Sequence, residues 1–299
     1  MKKLISIVIP AYNEEDVVPE LIQRITQVIS ELSGFEFEII VVENGSYDHT
    51  LEKLLEERKK EKRLKILQLA KNEGCDGAIM AGLSFARGDA AIVMMADLQD
   101  TPELISEFIA NWEKGFEIVY GIVKSRRGVA WSRRFGTMVF YKIINVLTHG
   151  AVPENVSDFR LLDRKVYEVL AKIPEHNKFF RGLALWTGYR HKGIAFERPP
   201  REKGESKANF LSVLNIAING IISFSSLPLR ISWVFAGLCL VFSLFSVVFL
   251  DVFTVILGLA FFSVFVILGI QAEYLGRIFE EVRQRPNFIV SATYGIEKE

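Results

Sequence analysis

The sequence predicts an α/β domain with a doubly wound, mostly parallel sheet, followed by an interfacial helix and two transmembrane helices. Short apolar runs alternate with helical patterns as far as residue 120, which is typical of parallel strands joined by helical crossovers. Residues 208–229 carry a polar stripe on an otherwise apolar helical pattern. From Ile231 to Ile270 the only ionisable side chains are Cys239 and Asp251, and this run is long enough for two membrane crossings of about 20 residues each.

The elements of the soluble part follow from local signals. A β-branched run at residues 4–9 is stopped by Pro10, and the acidic residues after Asn13 favour a helix that extends to about residue 32. The apolar run at residues 90–95 indicates a buried parallel strand, and Pro102 opens the next helix at a first-turn position. The same signals predict strands at 37–42, 64–69 and 117–120, helices at 48–60, 73–87 and 102–112, a helix ending near 147, and a strand leading into a helix at 158–164.

These patterns divide the chain into four regions. Residues 1–207 mix charged and apolar side chains as a soluble domain does. Residues 208–229 are expected to lie in the membrane interface, because polar residues recur three or four positions apart there, and a buried core helix is the alternative. Residues 230–270 form a transmembrane hairpin, or a re-entrant hairpin if the short second span does not cross. Residues 271–299 contribute a last helix, ended by Pro286, and a tail.

Charges beside the two predicted spans, 231–250 and 253–270, set their orientation. Arg230 precedes the pair, arginines follow it, and the short turn between the spans carries Asp251. Positive flanks place both termini on the cytoplasmic side, which predicts a multi-pass protein of the inner membrane with a cytoplasmic soluble domain. The first residues lack the long apolar core of a signal peptide.

Composition and motif content disfavour several classes of function. The chain has 36 basic and 36 acidic residues, which gives no reason to expect a nucleic-acid partner. The two cysteines, Cys75 and Cys239, are poorly placed to pair, as expected in a reducing compartment. No GxGxxG or P-loop pattern is present, and the four histidines show neither catalytic-triad nor zinc spacing.

Polar clusters follow four of the predicted strands. Because the carboxyl ends of parallel strands share one edge of a sheet, these clusters are expected to form one crevice for a ring system, a ribose and a diphosphate. Oxygen ligands there suit a hard divalent cation, Mg²⁺ or Mn²⁺. Each cluster could separately be turn chemistry, and the aspartates could simply cap the next helix. The clusters contain Pro10, Tyr12 and Glu14; Glu43, Asn44 and Ser46; Asn72 and Gly74; and Asp97, Gln99 and Asp100.

Basic side chains cluster in loops between the predicted crevice and the membrane segments. Arginine forks suit phosphate oxygens, so a phosphorylated substrate held at the membrane is one interpretation. Attraction to anionic lipid headgroups is the other, and both can hold. The cluster comprises Arg126, Arg133, Arg134, Arg198, Arg201 and Lys207.

An ordered set of motifs resembles family 2 glycosyltransferases, and most closely their polyprenyl-phosphate glycosyltransferase branch, which includes undecaprenyl-phosphate glucosyltransferases and dolichyl-phosphate mannose synthases. The match covers nearly the whole chain and implies a GT-A nucleotide-diphospho-sugar transferase fold, a nucleotide-diphosphate sugar donor and a polyprenyl phosphate acceptor. The motifs are SIVIPAYNEE, VVENGSYDHT, KNEGCDGAIMAGLSFARGD, ADLQDTPE, SDFRLLDRKV, FFRGLALWTGYR, ERPPREKGESK, ISFSSLPLR and EYLGRIFEEVRQRP.

The resemblance also implies roles for individual residues. Asp97 and Gln99 are expected at the metal and the donor diphosphate, with Asp97 catalytic, and Asp158 is expected near the reacting centre as a candidate base. A structural ion pair of Asp158 with Arg160 or Arg164 is the alternative. The residues expected to hold the nucleotide are Pro10, Tyr12, Glu14, Glu43 and Asn72, to which the strand-end clusters add Ser46 and Gly74; those expected at donor diphosphate or acceptor phosphate are Arg126, Arg133, Arg201, Ser206 and Lys207.

Two positions depart from the family pattern. Met95 stands where the first acid of a DxD motif is usual, and Glu43-Asn44 replaces an acidic pair. Methionine is a poor ligand for Mg²⁺ or Mn²⁺, although Mg²⁺ often keeps few protein ligands. The departures raise the question of altered metal affinity or lost activity.

The function expected from the sequence is inverting transfer of a sugar, first of all glucose or another hexose from a UDP-sugar, to undecaprenyl phosphate. The acceptor phosphate is already anionic, so a strong base is not required, and Asp158 is expected to orient the acceptor or stabilise positive charge. The alternatives are a dolichyl-phosphate mannose synthase using GDP-mannose and a catalytically silent nucleotide-sugar-binding membrane scaffold. A homo-oligomer and a membrane flippase partner are also expected.

Overall fold

The computed structural model describes residues 2–124, 155–173, 175, 179–199, 237–238, 241 and 253–296. Within these residues eight strands form one sheet in the order β7-β5-β6-β4-β1-β2-β3-β8. The strands are β1 (Lys3–Ala11), β2 (Phe35–Glu43), β3 (Leu64–Leu69), β4 (Ala90–Val93), β5 (Ile118–Val123), β6 (Val156–Asp163), β7 (His191–Phe196) and β8 (Val290–Tyr294).

Helices connect most of these strands. Their bounds are α1 (Val18–Glu31), α2 (Thr50–Lys60), α3 (Gly74–Phe85), α4 (Ile105–Glu113, preceded by a 3₁₀ turn at Pro102–Leu104), α5 (Arg164–Lys172), α6 (Phe180–Trp186) and α7 (Phe253–Arg283). Within the described residues the prediction of a strand at 158–164 running into a helix is confirmed by β6 and α5. The sequence patterns did not predict α6, β7 or β8.

The sheet is mixed rather than almost wholly parallel. Strands β4, β1, β2 and β3 pair in parallel, as predicted, and so do β5 and β7. Strand β6 runs antiparallel to both β4 and β5, and β8 runs antiparallel to β3. A strand buried on both faces shows a continuous apolar run whichever way it points, so the run did not reveal the direction of β6.

Helices cover both faces of the sheet, which confirms the doubly wound arrangement. Ile5, Ile7 and Ile9 of β1 point to a core shared with α1, α2 and α4, and Val8 points to the opposite core, shared with α3, α5 and α6. Helix α3 lies very close to the sheet, because a Cβ at Gly82 would meet the side chains of Val8 and Val42. This packing fixes the direction in which the start of α3 points.

Helix α1 begins later than the predicted start after Asn13. The residues between β1 and α1 form a turn in which Asn13 has a φ of 53°, and the helix begins at Val18 with Pro19 in its first turn. Asn13 donates its amide to the hydroxyl of Ser46 in the β2–α2 loop, and Glu14 donates its amide to the hydroxyl of Thr50, the first residue of α2, instead of entering a helix. Long-range hydrogen bonds therefore override the acidic helix-start signal.

The long helix α7 joins two elements that the sequence predicted as separate helices on either side of residue 270. The second predicted span and the predicted last helix form one continuous helix of 31 residues, because no proline or glycine pair interrupts the chain where Gln271 succeeds Ile270. Its stretch Ile256–Arg283 is, among the described residues, the one helix long and apolar enough to cross a membrane. Large apolar side chains on it, such as Phe262 and Phe265, are exposed.

Several predicted elements lie outside the described residues. These are the interfacial helix at 208–229 and nearly all of the first span at 231–250, of which residues 237, 238 and 241 are described and are helical. The division into four regions stays a prediction.

Candidate functional site

The four predicted polar clusters lie at one edge of the sheet. Ala11 at the end of β1 pairs with Glu43 at the end of β2, which pairs in turn with Gln68 near the end of β3. Strand β4 lies on the other side of β1, with Val93 level with Val8. The loops that follow these strands therefore adjoin one another, and they border the edge of the sheet where the sequence predicts a crevice.

The loops after β1 and β2 are tied together by hydrogen bonds. Asn13 donates its amide to the Ser46 hydroxyl at 3.1 Å and accepts the Tyr47 amide at 2.9 Å. The buried carboxylate of Glu43 accepts the Ser46 amide at 2.6 Å. Glu43 and Ser46 thus hold the loop in shape, a structural task additional to the nucleotide binding expected of them.

Asn44 joins the β2 loop to the β3 loop. Its side-chain amide donates to Asn72 Oδ1 at 3.2 Å and to the Gly74 carbonyl at 3.0 Å, and its Oδ1 accepts the Glu73 amide at 2.9 Å. The side chain is almost fully buried. An aspartate could not donate either of the first two bonds, so this network gives a structural reason for asparagine where the family pattern has an acid.

Gly45 lets the two loops approach this closely. It has a φ of 68°, and a Cβ there would come within 2.8 Å of the backbone carbonyl carbon of Lys71. A left-handed conformation beside a neighbouring backbone is a position for glycine. The crevice wall between β2 and β3 consequently depends on this residue.

Two tyrosines flank the mouth of the crevice. The rings of Tyr12 and Tyr47 meet edge to face, with centroids 6.3 Å apart, and Tyr47 is strongly exposed. Exposed aromatic faces of this kind suit a planar ring system. Tyr12 was predicted as a nucleotide contact, whereas Tyr47 was not singled out.

The loop after β4 carries the predicted metal position. Asp97 Oδ1 accepts the Gln99 amide at 3.2 Å, Leu98 between them has a φ of 56°, and the Gln99 side chain donates to the Pro199 carbonyl at 3.2 Å. Met95 lies in this loop with its Sδ 3.7 Å from Cys75 Sγ. Among the described residues no three His, Cys, Asp or Glu side chains form a group that could hold a metal ion.

Asp100, in the same loop, is fully buried. It accepts the Met95 amide at 2.9 Å and lies 3.5 Å from the Arg198 guanidinium. Burial raises the pKa of Asp100 to about 6, against the opposing charge of Arg198. The carboxylate is therefore ionised at neutral pH and pairs with Arg198, which fastens the start of the chain after β7 to the β4 loop.

Asp158 forms an ion pair, but its partner is neither Arg160 nor Arg164. Arg181 on α6 binds Asp158 through two guanidinium nitrogens, with Nε 2.7 Å from Oδ1 and Nη2 2.6 Å from Oδ2. Burial acts to raise the pKa of Asp158, but the charge and hydrogen bonds of Arg181 outweigh it and lower that pKa. The partner could not be read from the sequence because it lies 23 positions away on an unpredicted helix.

Arg160 and Arg164, which the sequence suggested as ion-pair partners of Asp158, make other contacts. Arg160 is fully buried, donates to the Ser157 carbonyl at 3.0 Å and to the Arg181 carbonyl at 3.3 Å, and its guanidinium lies 4.7 Å from the Phe180 ring centroid. Arg164 donates to the Gly88 carbonyl at 3.0 Å.

Asp76, in the first turn of α3, completes this group of charges. It accepts a backbone hydrogen bond from Phe180, and burial together with the charge of Asp158 raises the pKa of Asp76 to about 7. The first residues of α3 and α6 therefore lie close together beside Asp158. The resemblance motifs contain Asp76 and Arg181, and that membership was the only signal for these two in the sequence, whereas Arg198 also belongs to the predicted basic cluster.

Five predicted phosphate-contacting residues lie outside the described residues, so the structure does not place them. They are Arg126, Arg133, Arg201, Ser206 and Lys207. The remaining predicted residues, Pro10, Tyr12, Glu14, Glu43, Ser46, Asn72, Gly74, Asp97, Gln99 and Asp158, all lie in or next to the strand-end loops described above.

Comparison with known proteins identifies the family. The sequence profile described as glycosyl transferase family 2 matches residues 6–171, more than half of the chain. The chain belongs to glycosyl transferase family 2. Its soluble part is accordingly a GT-A-like fold built on a mixed α/β sheet.

Relatives match the chain over nearly its full length. It is 40% identical to an uncharacterized glycosyltransferase from Synechocystis sp., over 98% of this chain and 96% of that one. It is 34% identical to a prophage bactoprenol glucosyl transferase homolog from Escherichia coli, over 96% and 98% of the two chains. It is 32% identical to a prophage-derived bactoprenol glucosyl transferase from Shigella flexneri, over 97% and 98%.

A similarity to solved structures is also present. Glucosyl-3-phosphoglycerate synthase from Mycobacterium tuberculosis aligns with a TM-score of 0.49 at 16% identity, over 74% of this chain and 78% of that chain.

Proposed function

We propose that this family 2 glycosyltransferase transfers a hexose, first of all glucose, from a UDP-sugar to a polyprenyl phosphate such as undecaprenyl phosphate. The observation that carries the proposal is the full-length similarity to relatives named as bactoprenol glucosyl transferases, which covers the crevice and the long apolar helix together. Similarity confined to the sugar-nucleotide domain would support glycosyl transfer without indicating a lipid acceptor.

The path of the chain from α7 to the sheet supports a membrane-bound acceptor. Seven residue steps separate Arg283, the end of α7, from Val290, the start of β8, so the two lie no more than about 25 Å apart. Strand β8 begins beside Leu69, and Ala70 donates its amide to the Ile289 carbonyl at 2.8 Å. The long apolar helix therefore leads directly to the crevice edge of the sheet, where a lipid phosphate would meet the donor.

The charges of the crevice suit an inverting displacement. An oxygen of the acceptor phosphate attacks the anomeric carbon, the bond to the donor diphosphate breaks, and its electron pair leaves with the nucleoside diphosphate. The attacking phosphate is already anionic near neutral pH, so the site does not need to remove a proton. The predicted arginines, including Arg126, Arg133 and Arg201, and Lys207 would offset the charge on the phosphates, with Ser206 as a hydrogen-bond donor.

A divalent cation, Mg²⁺ or Mn²⁺, is part of the proposal. Asp97 would hold it, with Gln99 beside it, and the donor phosphates and water would complete the coordination, as Mg²⁺ with few protein ligands commonly allows. The fit rests on the hydrogen bond by which the Gln99 amide orients the Asp97 carboxylate in the β4 loop. The cation, when bound, supplies positive charge against the leaving diphosphate.

The long apolar helix α7 is the basis for the proposed location in a membrane. We propose a multi-pass protein of the inner membrane with the crevice on the cytoplasmic side, in which α7 is one of the spans. A homo-oligomer and a membrane flippase partner stay predictions of the sequence.

The second candidate is a catalytically silent nucleotide-sugar-binding scaffold, which Met95 favours. Its thioether replaces a carboxylate and contacts Cys75 in the β4 loop. Met95→Asp distinguishes the two. A large gain in transfer would indicate a decayed site, and no gain would indicate a site adapted to one carboxylate.

The experiment that tests the proposal uses the full chain in detergent with undecaprenyl phosphate and Mg²⁺ or Mn²⁺. Labelled UDP-glucose, UDP-galactose, UDP-N-acetylglucosamine and GDP-mannose are supplied separately, and label is measured in the lipid phase. We expect label from UDP-glucose, lost in Asp97→Ala and on removal of the cation. Label from GDP-mannose alone would indicate the mannose synthase instead, and tight nucleotide binding without transfer from any donor would refute the enzymatic proposal.

A further inference from the structure

Arg181 and Asp158 form a short bidentate ion pair beside the crevice. Both carboxylate oxygens of Asp158 are engaged, at 2.6 and 2.7 Å, and the Asp158 side chain is 10% exposed while that of Arg181 is 35% exposed. A bidentate arginine–carboxylate pair fixes the carboxylate in orientation as well as in charge. Asp158 is therefore held in one position before any substrate binds.

The antiparallel register places this pair at the reacting end of the sheet. Arg160 of β6 pairs with Val93, the last residue of β4, so Asp158 lies beyond it, level with the first residues of the β4 loop. That loop carries Met95 and Asp97, at the proposed metal and diphosphate position. An ion pair needed only for stability would not have to lie at this edge.

Several elements contribute charged or titratable groups that interact with Asp158 or its neighbours. Arg181 comes from α6, Arg160 from β6 and Arg198 from the chain after β7, and all three lower the pKa of Asp158. Asp76 and Cys75 from the start of α3 and Asp100 from the β4 loop also act on this group. The arginines outweigh the burial that acts to raise the pKa of Asp158, so Asp158 is ionised across the neutral range.

We propose that Arg181 is a positioning residue for glycosyl transfer, which holds Asp158 as a fixed, ionised carboxylate beside the anomeric carbon. The inference rests on the proposed function. Asp158 then stabilises positive charge that develops on the sugar while the bond to the diphosphate breaks, and it accepts no proton. Loss of Arg181 would leave the Asp158 carboxylate buried without its main partner, free to rotate and easier to protonate.

The test compares Arg181→Met and Arg181→Lys with a matched control. Arg63→Met breaks a second bidentate pair, to Glu61, with Nη2 2.6 Å from Oε2 and exposures of 37% and 13% that nearly equal those of Arg181 and Asp158. Arg63 precedes β3, at the opposite edge of the sheet from the crevice. The control therefore removes the same kind of ion pair at a place where no substrate is expected to bind.

Donor kcat, donor KM and the pH dependence of kcat are measured in the lipid-transfer assay. We expect Arg181→Met to lower kcat about 10- to 100-fold and to leave donor KM within about threefold. The acid limb of the pH profile, where kcat falls as the pH is lowered, should move up by at least about one pH unit. Arg181→Lys keeps the charge but loses the fork, so it should retain the wild-type acid limb and recover part of kcat. Arg63→Met should match the wild type in all three.

Several results would overturn the inference. A wild-type acid limb in Arg181→Met, or wild-type kcat in Asp158→Asn, would show that the pair has no part in the reaction. If Arg181→Met does not fold, Arg181→Lys decides, since undiminished kcat there would exclude a need for the fork. Absence of transfer by the wild-type protein would instead refute the proposed function, and the inference with it.

Discussion

The substitution Asn44→Asp is expected to weaken the wall of the crevice. Asn44 donates two hydrogen bonds, to Asn72 and to Gly74, and an aspartate can donate neither unless it is protonated. The Glu73 amide at 2.9 Å would remain as a donor to the new carboxylate. The substitution therefore tests whether the residue at position 44 serves as a donor that joins the β2 and β3 loops.

The size of the effect follows from these contacts. Two lost hydrogen bonds contribute about 1 kcal/mol each. The side chain is 3% exposed, so a carboxylate facing two oxygens would have its pKa raised by about one or two units, which adds roughly 1.4–2.7 kcal/mol at neutral pH. Together these terms should lower the free energy of unfolding by about 3–5 kcal/mol at pH 8, and by less at pH 5, where the new carboxyl is partly protonated.

Thermal unfolding of the detergent-solubilised protein at both pH values, with donor KM from the transfer assay, measures the effect. Donor KM should rise about tenfold or more, because Asn72 and Gly74 line the predicted nucleotide site. Asn111→Asp is the control, since Asn111 is 6% exposed and donates to the Glu107 carbonyl at 2.8 Å within α4. It should destabilise the fold without changing donor KM. Wild-type stability of Asn44→Asp at pH 8 would refute the reasoning.

Three further changes have defined outcomes. Burial and the charge of Asp158 raise the pKa of Asp76 to about 7, so the contribution of this carboxyl to stability is complete below about pH 4 and is lost as pH rises through 7. Asp76→Asn should therefore raise the free energy of unfolding more at pH 8 than at pH 5, by a difference on the order of 2–3 kcal/mol, and the increase in Tm should be correspondingly larger at pH 8. Arg198→Met should cost about 3–5 kcal/mol in unfolding measurements, because it leaves Asp100 buried without its cation, and adding Asp100→Asn should recover part of the loss. Gly45→Ala should lower nucleotide affinity in titration calorimetry and destabilise the fold by about 2 kcal/mol or more, since its Cβ would clash with the Lys71 backbone.

The crevice could be predicted from the sequence because its residues are encoded locally. Each of the strands β1 to β4 ends where an apolar run meets a polar cluster, and the parallel arrangement of those strands brings the clusters to one edge. The residue positions near Tyr12, Glu43, Asn72 and Asp97 follow from this rule alone.

The partners of those residues could not be predicted, because they are set by long-range packing. The fork from Arg181 to Asp158 spans 23 positions, and Gln99 reaches Pro199 across 100. Periodicity describes only neighbours along the chain, so neither contact leaves a local pattern. The continuity of α7 through residue 270 was missed for a related reason: the sequence shows a change in polarity there, and a change in polarity does not require the helix to end.

The pairing of β8 with β3 also has a consequence for the order of synthesis. Strand β3 ends at Leu69 and its partner begins at Val290, so the ribosome adds about 220 residues between them, which takes roughly 10–40 s at ordinary elongation rates. During that interval β3 is an open edge able to pair with other chains. The helix α7 is synthesised before β8, so the nascent domain can complete its sheet only after the long apolar segment has been made. Completion of the donor-binding domain therefore always follows the synthesis of the long apolar helix.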